Sequence, residues 1–391
     1  MKKTFYAITL SLFIASLSLN VMGQVSRQLD IPGRLQWDNA DGYCGEESIQ
    51  MIGLYYGNYI SEDFCRTAAG GEVLFGDDNG EDVLNSFAFN YDEWDYNAST
   101  PQYQNYLVWI KQELYRYHPV VITVYVQGMS DPDYDHIIPA IGFSSTDTTA
   151  FHNTDNLMFN DCYDSAYFTR TFQTMWDTRS MTGNGATYEY CVPKLVDYGC
   201  AVTGIKDLLH ETKPVHLSVN RWDEPNVTLG EAAVTLNGTI TIDSLTTGTK
   251  YALLRYNDYT TLPLSGFSPA NASSAVYFIA SGNTQILYDT FRSNKAVFYR
   301  CIAYNFTGDV NDQMANNYEV AVYPNPAKDF LTVEMPENSN VEITNAVGQV
   351  MMRRFFEGAK NVIDLQGLSA GVYVIKVSSE KGIETKRFVK K

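Results

Sequence analysis

Cys44 stands between two glycines, in the run Gln36-Trp37-Asp38-Asn39-Ala40-Asp41-Gly42-Tyr43-Cys44-Gly45-Glu46-Glu47-Ser48. The stretch from Glu46 to Tyr56 that follows sets Ile49, Ile52, Gly53 and Tyr56 on one face of a helix. A thiol at the start of a helix meets unpaired N–H groups and the positive end of the helix dipole, and both favour the thiolate. Glycine at 42 and 45 permits a tight turn and the close approach of a substrate carbonyl. A nucleophile fits this position if a base stands beside it, and so does a disulfide cysteine.

Five histidines limit the choice of base. His136 follows the Asp-rich turn Asp131-Pro132-Asp133-Tyr134-Asp135 and opens the apolar run to Phe143, at the end of an expected sheet. His118 precedes a proline, His152 lies in a Thr/Asn/Asp-rich turn, and His210 and His216 lie at the junction with the next segment. Asp161 closes the run Leu157-Met158-Phe159-Asn160-Asp161, where a carboxylate can fix an imidazole tautomer and stabilise the imidazolium. Asn160 offers an amide oxygen for the same purpose, and a plain turn residue is the alternative for Asp161.

These residues need elements to hold them. Besides the helix after Cys44, Asn105 to Arg116 places Leu107, Ile110 and Leu114 at helical spacing, and Pro119 ends it. Val120 to Val126, Ile137 to Phe143 and Asn156 to Phe159 then read as strands. Helices first and a sheet second describe an α+β unit over residues 24–208. Residues 214–304 alternate instead, as in Val234 to Ile242 and Tyr251 to Tyr256, and read as a β-sandwich module. Its Trp222, Tyr251, Tyr256 and Tyr259 suit either a carbohydrate- or protein-binding face or the module's own core. A polar linker (305–317) leads to short strands over 318–391.

The order Cys, His, Asp, with Gly42-Tyr43-Cys44-Gly45 before a helix, Asp135-His136-Ile137-Ile138 leading to Ile141-Gly142-Phe143, and Phe159-Asn160-Asp161, resembles the papain-fold cysteine peptidases, especially those related to bacteriocin-processing peptidases. The resemblance implies Cys44 as nucleophile, His136 as general base and then acid, and Asp161 as orienter. It also implies an oxyanion-binding glutamine upstream of the cysteine, for which Gln36 is the candidate. The expected activity is hydrolysis of peptide bonds through an acyl-enzyme, or transfer to an amine with the same residues. The alternative is a non-catalytic surface binding protein of papain fold acting through its β-module. Many relatives follow the Cys-Gly pair with Pro and a small residue, whereas here Glu46 and Glu47 stand in the first helical turn, which would oppose the thiolate if turned towards it.

No metal or cofactor frame emerges. Asp131, Asp133 and Asp135 alternate like the start of an EF-hand loop, but His136 and Gly142 occupy its obligatory Gly and Glu positions. The cluster from Asp77 to Asp82 and the group Asp309-Val310-Asn311-Asp312 lack a ligand frame, and the six cysteines show no C-x-x-C spacing. The expectation is catalysis without a cofactor on a peptide or protein substrate.

Both ends read as address labels. Lys2 and Lys3, the apolar run from Phe5 to about Leu19 and a small residue at Gly23 describe a signal peptide over 1–23, too short for a spanning helix. At the other end, Val320-Ala321-Val322-Tyr323-Pro324-Asn325-Pro326-Ala327, Val341 to Asn345, Ile363 to Leu368, Ala370-Gly371-Val372-Tyr373-Val374-Ile375-Lys376-Val377 and the final Lys390-Lys391 resemble the C-terminal sorting domain of the type IX secretion system of Bacteroidetes. This implies passage through the periplasm and outer membrane to the cell surface or medium, with the secretion machinery as a partner.

The chain is acidic, with a formal net charge of −17, which excludes a nucleic-acid binder that works by clustered Lys and Arg. Residues 24–206 carry 9 Lys plus Arg against 26 Asp plus Glu, so the acidity belongs to the segment with the candidate site. A negative surround favours cationic peptides.

Overall fold

A computed structural model of the chain describes residues 25–36, 42–76, 79–125, 136–162, 167–177, 190–220, 233–305, 320–345, 349–379 and 382–391. The signal segment, the linker beyond Asn305, the Asp131–Asp135 turn, Asp77, Asp78 and Trp222 lie outside them. Four α-helices and 24 strands are present among the described residues, so the chain is mostly β.

The first unit contains β1 (Val25–Gln28), α1 (Cys44–Tyr55), β2 (Asn58–Ile60), α2 (Glu62–Ala69), α3 (Gly80–Ser86), β3 (Phe89–Glu93), α4 (Tyr103–Tyr115), β4 (Val120–Val124), β5 (His136–Ser145), β6 (Asn156–Asn160), β7 (Tyr167–Thr171), the short β8 (Trp176–Asp177) and β9 (Val192–Pro193), and β10 (Gly199–Ile205). Its antiparallel sheet runs β3-β10-β4-β5-β6-β7, with β1 alongside the end of β5 that β4 leaves uncovered. Helices cover both faces. Ile49 and Ile52 of α1 share a core with Val121, Ile137, Cys200 and Val202, while Tyr106, Leu107, Ile110 and Leu114 of α4 pack with Val120, Ile122, Val124, Ile138 and Ala201. Successive strand residues point to opposite faces, so a strand with both faces covered reads as an unbroken apolar run. That is why β4 has the sequence Val-Val-Ile-Thr-Val and all ten residues of β5 are buried.

One buried cation fixes α4 to this sheet. The Lys111 Nζ donates to Ser145 Oγ (3.1 Å), Ala150 O (2.6 Å) and Asp155 Oδ2 (2.7 Å), so all three ammonium protons are placed. Its partners close the turn between β5 and β6, the two strands whose ends carry His136 and Asp161.

The middle segment contributes β11 (Thr212–Lys213), β12 (Val215–Val219), β13 (Thr235–Ile242), β14 (Lys250–Tyr256), β15 (Ser274–Ile279), β16 (Gln285–Arg292) and β17 (Ala296–Ala303). Sheets β11-β17-β14-β15 and β12-β13-β16 enclose a core, and β2 of the first unit pairs with β17 through Asn58↔Phe298 to Ile60↔Ala296. Leu54 and Tyr59 are buried in that sandwich core, and Ala252, Leu254, Tyr256, Phe298 and Ile302 in turn complete the core behind α1. The two segments therefore share their apolar interiors. Tyr251 and Tyr256 are buried rather than displayed, which places two of the four aromatics in the core.

The last segment folds as β18 (Ala321–Tyr323), β19 (Phe330–Glu334), β20 (Ser339–Asn345), β21 (Val350–Phe356), β22 (Lys360–Asp364), β23 (Gly371–Ser379) and β24 (Gly382–Lys390). Sheets β18-β19-β22 and β21-β20-β23-β24 bury a core of their own, and Asn325 of the Tyr-Pro-Asn-Pro turn exchanges hydrogen bonds with Arg387 O and Val389 N (3.0 Å each).

Because Tyr59 is wholly buried at the seam and its hydroxyl donates to Ser293 O (2.8 Å), Tyr59→Ala should cost about 3–5 kcal/mol, as aromatic truncations do. Calorimetry should show the first and middle segments of wild type melting in one transition, which this change lowers as a whole.

Candidate active site

The turn before α1 has a sequence reason for its shape. Gly42 adopts φ +60°, the left-handed region where a side chain is strained, and Tyr43 follows, fully buried. At Gly45 the close approach is made by the protein itself. A Cβ there would lie 2.1 Å from Val73 O, so this glycine admits a neighbouring loop, where the sequence suggested room for a substrate carbonyl. Cys44, at the first position of the helix, stays partly exposed. One turn on, Ser48 Oγ lies 2.7 Å from Cys44 O and 3.2 Å from Ile137 O, joining the start of the helix to the strand residue after His136.

The carboxylates of the first turn are engaged in the interior. Glu46 is paired with Arg66 (2.7 Å) and accepts from Val73 N (3.2 Å). Arg66 also donates to Gly42 O and lies 3.5 Å over the Tyr43 ring, so one guanidinium clamps the turn on both sides of the ring. Burial raises the Glu46 carboxyl above its usual range, and Arg66 offsets part of that. Glu47 is fully buried, and burial carries it to about 7 against the attraction of Arg34. Arg34 in turn donates to Gln50 Oε1 (3.1 Å) and Val219 O (3.3 Å). The feared opposition between these acids and the thiol is reduced by the two arginines.

His136 and Asp161 are both buried, and the His136 Nε2 lies 3.1 Å from Asp161 Oδ1. Burial alone would lower the imidazole. The Asp161 hydrogen bond, a hydrogen bond with Cys44 and the charges of both outweigh it and raise His136 to about 9. Tyr190 donates to the second oxygen of Asp161. Asn160 plays a different part, donating to Ile31 O (3.0 Å) and so tethering the segment that leads to Gln36.

Gln36 is reached through Cys162. Its backbone N–H donates to Cys162 O (2.9 Å) and its Oε1 accepts from Cys162 Sγ at 3.4 Å, while that sulfur lies 3.7 Å from His136 Nε2. Four of the sequence candidates thus fall within one neighbourhood: Cys44, His136 and Asp161 interact directly, and Gln36 joins them by way of a second thiol. Cys162, Tyr190 and Arg66 were not foreseen. Adjacency to Asp161 was the only sequence signal for Cys162, and nothing local pointed to the other two.

Ligand atoms of His136, Asp161 and Cys162 lie within 4.8 Å of one another, the one such trio among the described residues. Its Nε2 already faces the Asp161 carboxylate, so a cation there would have to displace the pair. Cys44, Cys65, Cys162, Cys200 and Cys301 are thiols. No described helix is long and apolar enough to cross a membrane.

Comparison with known proteins bears on the tail. Residues 321–391 match the secretion system C-terminal sorting domain family. The chain therefore carries a type IX sorting signal and is directed to the cell surface or the medium. No curated protein matches it. Among solved structures it is similar to PorZ, a surface component of the type-IX secretion system of Porphyromonas gingivalis, at 13% identity over 66% of this chain and 50% of that chain, with a TM-score of 0.18. It is also similar to the human OSCAR ligand-binding domain, at 12% identity over 46% of this chain and 99% of that one, with a TM-score of 0.15. The chain spans half the length of the first, and likenesses this loose carry no argument about fold or activity.

Two outcomes follow from the geometry. Arg66→Met should slow alkylation of Cys44 by iodoacetamide at pH 7 by about tenfold or more, since small misplacements at a reacting centre are costly, with mass spectrometry counting the label. The His136 pKa is raised above its ordinary 6.5, so its protonation favours the folded chain. That contribution is complete below pH 6.5, declines as pH rises and is gone above about 9. Urea titration should show His136→Gln less stable than wild type by up to about 3 kcal/mol at pH 6, with the difference vanishing above pH 9.

Proposed function

We propose that the chain is an exported cysteine peptidase whose first unit has a papain-like α+β fold and cleaves peptide bonds through Cys44, His136 and Asp161. The observation that carries this reading is the buried His136 imidazole bonded to the Asp161 carboxylate and electrostatically coupled to a thiol at the N-terminus of α1. Papain-type chemistry needs that arrangement, and a structural histidine does not.

Each residue then has a task. His136 takes the Cys44 proton as general base, and the thiolate attacks the substrate carbonyl carbon. The backbone N–H of Cys44 and the Gln36 amide hold the oxyanion of the tetrahedral intermediate. His136 passes its proton to the leaving amine as the C–N bond breaks, leaving a thioester on Cys44. Water, deprotonated by His136, attacks the thioester, and the acid product leaves with the thiol restored. An amine in place of water gives transfer with the same residues. Asp161 keeps the ring oriented and stabilises its charged form, and Tyr190 keeps Asp161 in place.

The acidity of residues 24–206 supports a preference for cationic peptides. Basic peptides should be cleaved faster than acidic ones of equal length at low ionic strength, and salt should shrink the difference; equal rates at low salt would remove the preference. A thiol-directed peptide probe should label wild type in reducing buffer, while Cys44→Ala and His136→Ala should each abolish labelling with the circular dichroism unchanged. A folded wild type inert to such probes would end the peptidase reading.

A further inference from the structure

Cys162 follows Asp161 in sequence and is fully buried. Three contacts converge on it. Its carbonyl oxygen accepts the Gln36 backbone N–H at 2.9 Å, its Sγ lies 3.4 Å from Gln36 Oε1, and the same sulfur lies 3.7 Å from His136 Nε2. The first two hold Gln36 by main chain and side chain together.

The side-chain contact has a directional consequence. A carboxamide has one accepting and one donating end, and only its hydrogen-bond partners decide which way it points. A thiol proton aimed at Oε1 selects the rotamer in which the oxygen faces Cys162 and the NH2 group faces away. An oxyanion needs that NH2 group, and an amide turned the other way would present it with a repelling oxygen. Burial, followed by the neighbouring Cys44 charge, raises the Cys162 thiol well above its usual value, so the sulfur keeps the proton it donates.

The geometry points to Cys162 as a positioning residue that orients the Gln36 amide for oxyanion binding. Consecutive residues at the end of β6 thus set both halves of the machinery, Asp161 the base and Cys162 the oxyanion donor. The inference rests on the peptidase reading for its purpose, but the hold of Cys162 on Gln36 can be measured without any turnover.

The test uses the full chain with Cys162→Ser, which keeps a donor, and Cys162→Ala and Cys162→Val, which lack one and cover the case in which either misfolds. In 15N–1H spectra the Gln36 side-chain signals are identified by their loss in Gln36→Ala. Wild type and Cys162→Ser should show slow mutual exchange of the two NH2 protons, because a bond accepted by Oε1 stiffens the amide C–N bond, and the donor-free variants should speed it severalfold. Unchanged exchange would overturn the proposal whether or not the chain is a peptidase. In the kinetic arm Gln36→Ala should lower kcat by about 10²–10³-fold. Cys162→Ala should lower kcat with KM unchanged, Cys162→Ser should restore most of it, and Cys162→Ala with Gln36→Ala should be no slower than Gln36→Ala alone. Effects that multiply would overturn the proposal. A wild type without turnover would remove the peptidase reading only, and the exchange measurement would then decide for or against Cys162.

Discussion

An imidazole whose charged form is favoured sits where water cannot help it. Desolvation works against the imidazolium of His136, and only the carboxylate of Asp161 and the thiol of Cys44 reverse that penalty. A charge stabilised by two partners tolerates little displacement of either, so the surrounding structure is organised to prevent it. Lys111 fixes the turn between β5 and β6 with three buried hydrogen bonds. Ser48 links α1 to Ile137. Arg66 grips the turn that presents Cys44, and Tyr190 holds the far oxygen of Asp161.

The first helical turn shows how the same acidic residues can be harmful or harmless. Glu46 and Glu47 would raise the energy of a neighbouring thiolate if they faced it in a dry cleft. The Arg66 ion pair with Glu46 and the attraction of Arg34 for Glu47 lower that cost, and the Glu46 pair anchors the helix. Val73 fits into the space that Gly45 leaves, which closes one side of the helix N-terminus to solvent.

Much of the frame was legible because it rests on local periodicity. The spacing of Leu107, Ile110 and Leu114 found α4, alternation found β13 and β14, and the runs before Asp161 and after His136 found β6 and β5 within a residue or two. The relation of Asp161 to His136 followed from their strand ends. What stayed hidden depends on contacts far apart in sequence. Short β2 has only three residues and no period, and its partner lies in β17. Arg66 is an ordinary exposed-looking helix residue until its clamp is seen, and Tyr190 sits beside no motif. The aromatics of the middle segment illustrate the same limit, since alternation says that Tyr251 and Tyr256 lie on strands but not which side the core occupies. Their burial removes part of the display surface on which a purely binding role would draw.

The seam between β2 and β17 carries a consequence for the order of events. Tyr59 meets Ser293 across 234 positions and Asn58 meets Arg300 across 242. The rear of α1 is therefore finished by residues made long after the helix itself, and non-local pairing of this kind is slow to form. A nascent chain has Cys44, His136 and Asp161 yet lacks the wall behind α1. Completion of the middle segment therefore sets when the helix that begins at Cys44 can take its final place.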